Sequence, residues 1–110
     1  MNVAIIGASN KEHRYSYKAF KLLKEKGYNV FPVHRKIKEI EGQSVFASIE
    51  DINVELDTVT MYVNPDVSNA IADKIIGKRP KRVIFNPGAE NEDLEESLRI
   101  TVLRWIKLAA

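Results

Sequence analysis

The chain has 110 residues, of which 45% are hydrophobic and 29% charged, a composition typical of a single soluble globular domain. We expect no separate substrate domain at this length, and the absence of cysteine excludes disulfides, thiolate catalysis and cysteine-ligated zinc. A net charge of +2 does not by itself indicate a nucleic-acid ligand. We also expect no metal site, no membrane contact and, since no basic leader precedes the first apolar run, a cytoplasmic location.

Residues 1–33 predict a β-strand, an α-helix and a second β-strand. The apolar run from Val3 to Ile6 is typical of a parallel strand that is buried on both faces. Residues 16–26 follow helical spacing, with Ser16 as the expected N-cap and Gly27 as the expected C-terminal cap. Residues 28–33 (YNVFPV) are rich in β-formers, and Pro32 lies near the end of this strand, where a missing N–H matters least.

The rest of the chain continues to alternate between strands and helices. We expect a short strand near 44–46, a helical turn at 48–52 and a strand at 57–63. Asn64 and Pro65 predict the start of a helix that runs to about residue 76, and a strand at 81–85 and an acidic helix at 91–99 follow. The expected inner stripe of the helix that begins at Asn64 is Val67, Ala70, Ile71 and Ile75.

Residues 100–110 form an atypical tail with two interpretations: ITVL favours a strand, whereas LRWIKLAA is compatible with a helix. The alternation predicts a single α/β domain over residues 1–110, with a Rossmann-like, doubly wound, mostly parallel open sheet of about five strands and helices on both faces. Ligands of such sheets bind at the carboxyl ends of the strands, beside the first strand.

The loop after the first strand has features of a phosphate site but lacks the full GxGxxG fingerprint. Gly7 lets the backbone approach an anion closely, and the hydroxyls of Ser9 and Ser16 can donate hydrogen bonds to it. Lys11 and Arg14 add positive charge. The first turn of the following helix contains no acid, whereas the helices after residues 64 and 91 supply their own. We predict an anion here; a plain turn with solvated charges is the alternative.

The end of the second strand carries Val33, His34, Arg35 and Lys36. An NAD site needs an acid at this point to accept a hydrogen bond from the ribose, so NAD is disfavoured. Cations suit an adenosine whose ribose carries a phosphate, as in NADP or coenzyme A, and Arg35 offers a planar fork for phosphate oxygens. The positive charges of residues 34–36 do not distinguish an NADP site, a CoA site and an ordinary solvated loop.

Several motifs together resemble the small CoA-binding proteins of Rossmann type, which are similar to the CoA-binding domain of the succinyl-CoA synthetase alpha subunit. The resemblance covers roughly residues 2–99. It depends on GAS at 7–9 with Ser16-Tyr17 downstream, GYNVFPV at 27–33, EIEGQSVFASIEDI at 39–52, YVNPDVSNAI at 62–71 and FNPGAEN at 85–91. The chain departs from the family pattern at His34-Arg35, where Asn-Pro is usual, and in the tail, which lacks the usual Gly-Ile-rich turn and cysteine.

The resemblance implies a CoA groove at the carboxyl ends of the strands. It implies that the Gly7–Ser9 loop and Ser16 hold phosphates and that the loop after Val33 lies near the adenosine. From the residues and the resemblance together, the predicted contact residues are Gly7, Ala8, Ser9, Lys11, Arg14, Ser16, Tyr17, Val33, His34, Arg35, Lys36, Tyr62, Val63, Asn64, Pro65, Asn86, Pro87, Gly88 and Ala89.

These observations predict non-catalytic binding of CoA or an acyl-CoA. Only His13 and His34 could act as bases near neutral pH, and the acids at the helix starts are explained as caps. Two alternatives stay open: an NADP(H)-binding regulatory or redox-sensing module, and a structural or interaction protein with a vestigial groove. An unpaired sheet edge would also permit a homo-oligomer.

Overall fold

The computed structural model of the protein describes the backbone of residues 1–100 and 104–107 and the side chains of residues 1–98. The strands are β1 (Asn2–Ile6), β2 (Asn29–Val33), β3 (Glu39–Ile40), β4 (Gln43–Ser44), β5 (Thr58–Met61), β6 (Arg82–Phe85) and β7 (Arg104–Lys107). The helices are α1 (Tyr15–Glu25), α2 (Pro65–Ala70), α3 (Ala72–Gly77) and α4 (Glu92–Ile100), and a 3₁₀ turn covers Ile49–Asp51. None of the described helices is long and apolar enough to cross a membrane.

Five parallel strands form one sheet in the order β2-β1-β5-β6-β7, and β3 and β4 form a separate antiparallel hairpin. The apolar run of β1 is central because each of its residues from Val3 to Ile6 is buried between neighbours on both sides. The predicted Rossmann-like, doubly wound parallel sheet is confirmed.

Helices cover both faces of this sheet. On one face, α3 and α4 contribute Ile75 and Leu94 to the larger core. On the other face, α1 contributes Phe20 to a smaller core. Successive residues of β1 point to opposite faces, so Ile6 belongs to the larger core and Ile5 to the smaller one. The carboxyl end of β1 is therefore enclosed by elements from both layers.

β2 is an edge strand, which explains how it tolerates a proline. Pro32 pairs with Ile5 of β1 on its inner side. On its outer side the Pro32 carbonyl accepts from the Phe46 N–H at 2.9 Å, so the missing N–H of the proline also faces outward. His34 N–H donates to the Phe46 carbonyl at 2.9 Å, and the two bonds tie the segment before the 3₁₀ turn to the end of β2.

The helix predicted from Asn64 to about residue 76 is interrupted. Asn64 caps α2 as expected, its Oδ1 accepting from the Val67 N–H at 3.0 Å, but Ile71 has φ −115° and ψ 10° and separates α2 from α3. Within the predicted inner stripe Ile75 is fully buried, whereas Val67 is 39% exposed and Ala70 is also exposed. The stripe was wrong for these two residues because helical spacing does not distinguish a core wall from the wall of an open cavity.

The start of α1 also differs from the prediction. Arg14 is the N-cap residue and the helix begins at Tyr15, so Ser16 is the second helical residue and not the cap. The reason is a turn closed by the Arg14 N–H and the Lys11 carbonyl at 3.0 Å, which brings the chain into the helix two residues earlier. Gly27 follows α1 with φ +87°, the left-handed geometry expected of a C-terminal cap.

The helical interpretation of LRWIKLAA was wrong at residues 104–107, and the strand interpretation of ITVL is contradicted only at Ile100. α4 continues through Ile100, and Arg104–Lys107 forms β7, which pairs with β6 in parallel. The edge of β6 offers a row of hydrogen-bonding partners, and this tertiary pairing overrides the helical pattern of LRWIKLAA. Residues 101–103 and 108–110 lie outside the described residues.

Candidate functional site

A cavity lies at the carboxyl end of β1, where the order of the strands reverses. From β1 the chain connects to β2 on one side, and β5, β6 and β7 follow on the other side. This reversal leaves a crevice at which open α/β sheets bind ligands. The cavity has a volume of about 590 Å³ and is lined by Ile6, Gly7, Val33, His34, Arg35, Lys36, Ala47, Ser48, Ile49, Val63, Asp66, Val67, Ala70, Ile71 and Lys74.

The cavity has an apolar floor and a cationic rim. Most of the lining is aliphatic and comes from the strand ends, the 3₁₀ turn and α2. The rim carries Arg35 and Lys36, both exposed and without an ion-pair partner among the described side chains. Lys74 on the opposite wall is paired with Glu50 at 3.4 Å, and Asp66 is the one acid among the lining residues. This arrangement suits a ligand with a flat apolar part and a negative charge.

The 34–37 loop is held by the side chain of its first residue. His34 Nδ1 accepts hydrogen bonds from the N–H groups of Lys36 and Ile37 at 3.0 and 3.1 Å. Burial lowers the pKa of His34 below its usual 6.5, and the neighbouring charges of Arg35 and Lys36 lower that pKa further. The imidazole is therefore neutral at pH 7, with Nδ1 unprotonated and the proton on Nε2.

Gly7 is required by the close approach of the first loop to the end of β5. Its φ is +89°, and a Cβ at this position would lie 2.8 Å from Val63 Cγ1 and 3.2 Å from the carbonyl carbon of Tyr62. The N–H groups of Gly7 and Ala8 both donate to the Val33 carbonyl, at 3.1 and 3.2 Å. These two peptide donors are occupied within the chain, so Gly7 contributes space at the cavity and not hydrogen bonds.

The amino end of α1 is open. Its N-cap residue Arg14 makes no side-chain capping bond, and the first turn contains no acid. Ser16 is buried, and none of the side-chain hydrogen bonds in the described chain engages its hydroxyl. The Ser9 hydroxyl oxygen accepts from the Lys11 N–H at 3.1 Å, and its proton remains available. The N–H groups of the first helical turn have no partner further back in the helix and can bind an external anion.

Other predicted residues of the first segment have partners that fix the fold. Ala8 is buried in the smaller core. The Tyr17 hydroxyl donates to Glu41 Oε1, and this hydrogen bond is the main cause that raises the pKa of Tyr17 to about 12. Tyr62 is half-buried against the smaller core, and burial raises its pKa. These side chains connect α1, the hairpin and β5, and they do not line the cavity.

The predicted residues 64–65 and 86–89 also lie outside the cavity lining. Asn64 Oδ1 is engaged by the Val67 N–H, and Pro65 is in the first turn of α2. Asn86 is buried, and its Nδ2 donates to Thr60 Oγ1 at 2.7 Å and to the Met61 carbonyl at 2.9 Å. The segment that follows leads into α4 and consists of Pro87, Gly88 and Ala89.

The cavity thus brings together six of the predicted residues, which are Gly7, Val33, His34, Arg35, Lys36 and Val63. The prediction missed the walls formed by Ala47, Ser48 and Ile49 and by Asp66, Val67, Ala70, Ile71 and Lys74. A signal was present in the second group: Val67, Ala70, Ile71 and Lys74 follow helical spacing but include a small residue and a charge, which a core stripe seldom does. The described residues contain no cluster of His, Asp or Glu that could hold a metal ion.

Comparisons with known proteins give the family of the chain. A family profile described as CoA binding domain matches residues 1–108. The chain is 37% identical over 62 residues to acetate–CoA ligase (ADP-forming) II subunit alpha from Pyrococcus furiosus, a match that covers 56% of this chain and 14% of the ligase subunit. It is 28% identical over 112 residues to acetate–CoA ligase (ADP-forming) from Methanocaldococcus jannaschii, covering 94% of this chain and 15% of the ligase.

A solved structure shares the same fold over nearly the whole chain. The structure of a hypothetical protein from Pyrococcus horikoshii OT3 superposes with a TM-score of 0.90 at 28% identity, covering 96% of this chain and 74% of that one. The chain spans about one seventh of the length of the curated ligases that it matches. It belongs to the CoA binding domain family.

Proposed function

We propose that this chain binds coenzyme A or an acyl-CoA without catalysing a reaction on it. The observation that carries the proposal is the cavity at the strand-order reversal, with its aliphatic floor and the unpaired cations Arg35 and Lys36 at its rim. The adenine ring would lie on the aliphatic floor, since flat apolar groups gain most from such a surface. The phosphate on the ribose of CoA would lie beside Arg35 and Lys36, whose positive charges suit it.

The pyrophosphate would lie at the amino end of α1. Three features support this position: the absence of acids in the first helical turn, the absence of a side-chain cap, and the unengaged hydroxyl of Ser16. Lys11 and Arg14 are exposed in the loop that leads to this helix end. Together they provide partial and full positive charges where a diphosphate needs them.

The polar side chains of the cavity are engaged in other interactions, which supports binding without catalysis. Ser48 Oγ accepts from the Glu50 N–H at 3.2 Å and caps the 3₁₀ turn. His34 Nδ1 is engaged by the backbone, and Lys74 is paired with Glu50. No described cavity side chain forms the hydrogen-bonded pair of nucleophile and base that covalent catalysis uses. The ligase activity of the longer relatives is not carried over, because this chain matches only about one seventh of their length.

Ligand-dependent stabilisation tests the proposal. The melting temperature is measured with increasing CoA, dephospho-CoA and NADPH, since a ligand at 100 times its dissociation constant adds about 2.7 kcal/mol to the free energy of unfolding. We expect CoA to stabilise most, dephospho-CoA less and NADPH little. Stabilisation by NADPH alone would identify the redox-sensing alternative, and no shift with any ligand would indicate a vestigial groove.

Charge reversal at the rim tests where the ribose phosphate lies. Arg35→Glu is expected to weaken CoA at least tenfold, which is about 1.4 kcal/mol, and to weaken dephospho-CoA much less. The matched control is Arg79→Glu, because Arg79 is exposed and lies between α3 and β6, at the opposite end of the strands. Isothermal titration measures both variants with both ligands. Equal losses of the two ligands in Arg35→Glu would place the ribose phosphate elsewhere.

A further inference from the structure

The 34–37 loop depends on one side chain for its conformation. His34 N–H donates to the Phe46 carbonyl, which fixes the start of the loop to the neighbouring segment. The ring then turns back, and its Nδ1 accepts from the N–H groups of Lys36 and Ile37 at 3.0 and 3.1 Å. Both rim cations lie within or beside the turn that these two bonds close. The position of Arg35 and Lys36 relative to the cavity is therefore set by an imidazole nitrogen.

An asparagine or aspartate side chain commonly performs this task in turns, because its oxygen accepts from N–H groups two and three residues further along. The amide oxygen of asparagine is a hydrogen-bond acceptor over the whole physiological pH range. Imidazole Nδ1 is an acceptor only while the ring is neutral, because protonation converts this nitrogen into a donor. A protonated His34 would face two N–H groups with a third N–H.

We propose that His34 is a positioning residue for CoA, that its unprotonated Nδ1 holds the 34–37 loop in the binding conformation, and that affinity for CoA falls when this ring takes up a proton. The proposal rests on the proposed function. It concerns how the rim is held and assigns no direct contact between His34 and the ligand.

Burial and neighbouring charges set the direction in which the pKa of His34 is shifted. Arg35 and Lys36 flank it on its own loop, Asp66 and Lys74 line the helical wall of the same cavity, and Glu50 pairs with Lys74 from the 3₁₀ turn. Burial and the two flanking cations lower the pKa of His34, so the folded chain takes up this proton at lower pH than the unfolded chain. The contribution of the unprotonated His34 to the free energy of unfolding is therefore present above pH 6.5. It is lost as the pH falls from 6.5 through the pKa of His34 in the folded state.

Electrostatics alone predicts the opposite result. An imidazolium at the rim of a phosphate site would attract the ligand, so CoA affinity would rise as the pH falls. The sign of the pH dependence therefore separates a positioning role from a direct anion contact.

The experiment compares dissociation constants at pH 8 and pH 5.5 for the wild type, His34→Asn and His13→Asn. Dephospho-CoA is measured alongside CoA, because it lacks the ribose phosphate, whose second ionisation falls in this pH range. We expect the wild type to bind CoA several-fold more weakly at pH 5.5 than at pH 8, since a ring pKa below 6.5 keeps the loss under about tenfold. His34→Asn should lose less than about twofold, since its amide oxygen keeps both hydrogen bonds. His13 is exposed in the first loop, and His13→Asn should keep the pH dependence of the wild type.

Two outcomes overturn the proposal. One is an affinity that rises at pH 5.5 in the wild type but not in His34→Asn. The other is an unchanged pH dependence in His34→Asn.

A second measurement separates failure of this inference from failure of the proposed function. In the ligand-free protein, nitrogen chemical shifts report whether Nδ1 is unprotonated at pH 8, and hydrogen exchange of the Lys36 and Ile37 amides reports their bonds to it. We expect protection of both amides at pH 8, at least tenfold less protection at pH 5.5, and protection at both values in His34→Asn. If CoA does not bind but the amides behave in this way, the proposed function fails and the positioning role of His34 is retained. Amides that do not respond to protonation would refute the positioning role even if CoA binds.

Discussion

Two strand-to-helix junctions of this chain differ in how the N–H groups at the start of the helix are capped. The first junction, residues 7–14, joins β1 to α1, and the second junction, residues 86–91, joins β6 to α4. Each contains a glycine with φ +89°, Gly7 in the first and Gly88 in the second. Each brings the chain from the carboxyl end of a parallel strand to the positive end of a helix. At this point the similarity ends, because only one of the two helix ends is satisfied by its own sequence.

The second junction is closed by its own side chains. Asn91 Oδ1 accepts from the Leu94 N–H at 3.1 Å, and Glu95 Oε2 accepts from the Asn91 N–H at 3.1 Å. Asn91 Nδ2 also donates to Ser68 Oγ at 2.7 Å, which fixes α4 to α2. The first turn of α4 contains Glu92 and Asp93 besides Glu95. These capping bonds and the negative charge of the first turn disfavour an external anion at this helix end.

The first junction lacks both devices. Its N-cap residue makes no side-chain bond, and its first helical turn has no acid. Among the described helices, α3 also lacks a side-chain cap but has Asp73 in its first turn, so α1 alone lacks both a cap and an acid. The open start of α1 is therefore consistent with the proposed position of the pyrophosphate, whereas the closed start of α4 is not a candidate for it.

Replacing the glycines of the two junctions should affect stability most, and by different amounts. Gly7→Ala should lower the free energy of unfolding by about 3 kcal/mol, because a left-handed backbone is added to a steric conflict with Val63. Gly88→Ala is the matched control: it has the same φ, but no atom lies within 4 Å of a new Cβ, so about 1 kcal/mol is expected. Urea denaturation measures both. Equal losses would show that the conflict with Tyr62 and Val63, which follow β5, does not contribute to the loss of stability.

The next effect concerns the network that closes the second junction. Asn91→Ala should cost about 2 kcal/mol of stability, because it removes a helix cap and leaves the buried Ser68 hydroxyl without that donor. Asn10→Ala in the first junction is the control; Asn10 is exposed, and less than about 0.5 kcal/mol is expected. CoA affinity of the folded Asn91→Ala protein should be unchanged. A large loss of affinity in this variant would connect the second junction to the ligand.

The smallest change in stability is expected when the start of α1 is given an acid, as the start of α4 has. Tyr15 is 79% exposed at the first position of α1, where α4 has Glu92. Relative to Tyr15→Gln, the variant Tyr15→Glu should gain about 0.5 kcal/mol of stability from the helix dipole. It should also bind CoA several-fold more weakly, because the new carboxylate repels the pyrophosphate. If the two variants bind CoA equally, no ligand anion lies at this helix end.

Much of the fold follows from local patterns. The apolar run of β1, the Asn64-Pro65 start of α2 and the glycine that ends α1 predicted their elements correctly, since strand burial, helix capping and left-handed backbone depend on a few adjacent residues. The break at Ile71 and the strand Arg104–Lys107 were not predicted, because a packing environment and a neighbouring strand decide them. The missed cavity walls share this cause, since Val67 and Ala70 have the spacing of core residues and lie against open space.

The parallel α/β sheet, the acid-free start of α1 and the cations that follow β2 could all be predicted, because they depend on residue type and local spacing. Which of the predicted residues share one cavity depends on the folded chain and could not be predicted. The same is true of the hydrogen bonds from the Gly7 and Ala8 N–H groups to the Val33 carbonyl, and of those from the Lys36 and Ile37 N–H groups to His34 Nδ1. These facts depend on the pairing of β2 beside β1 and on the bond of His34 to Phe46, which join residues far apart in the chain.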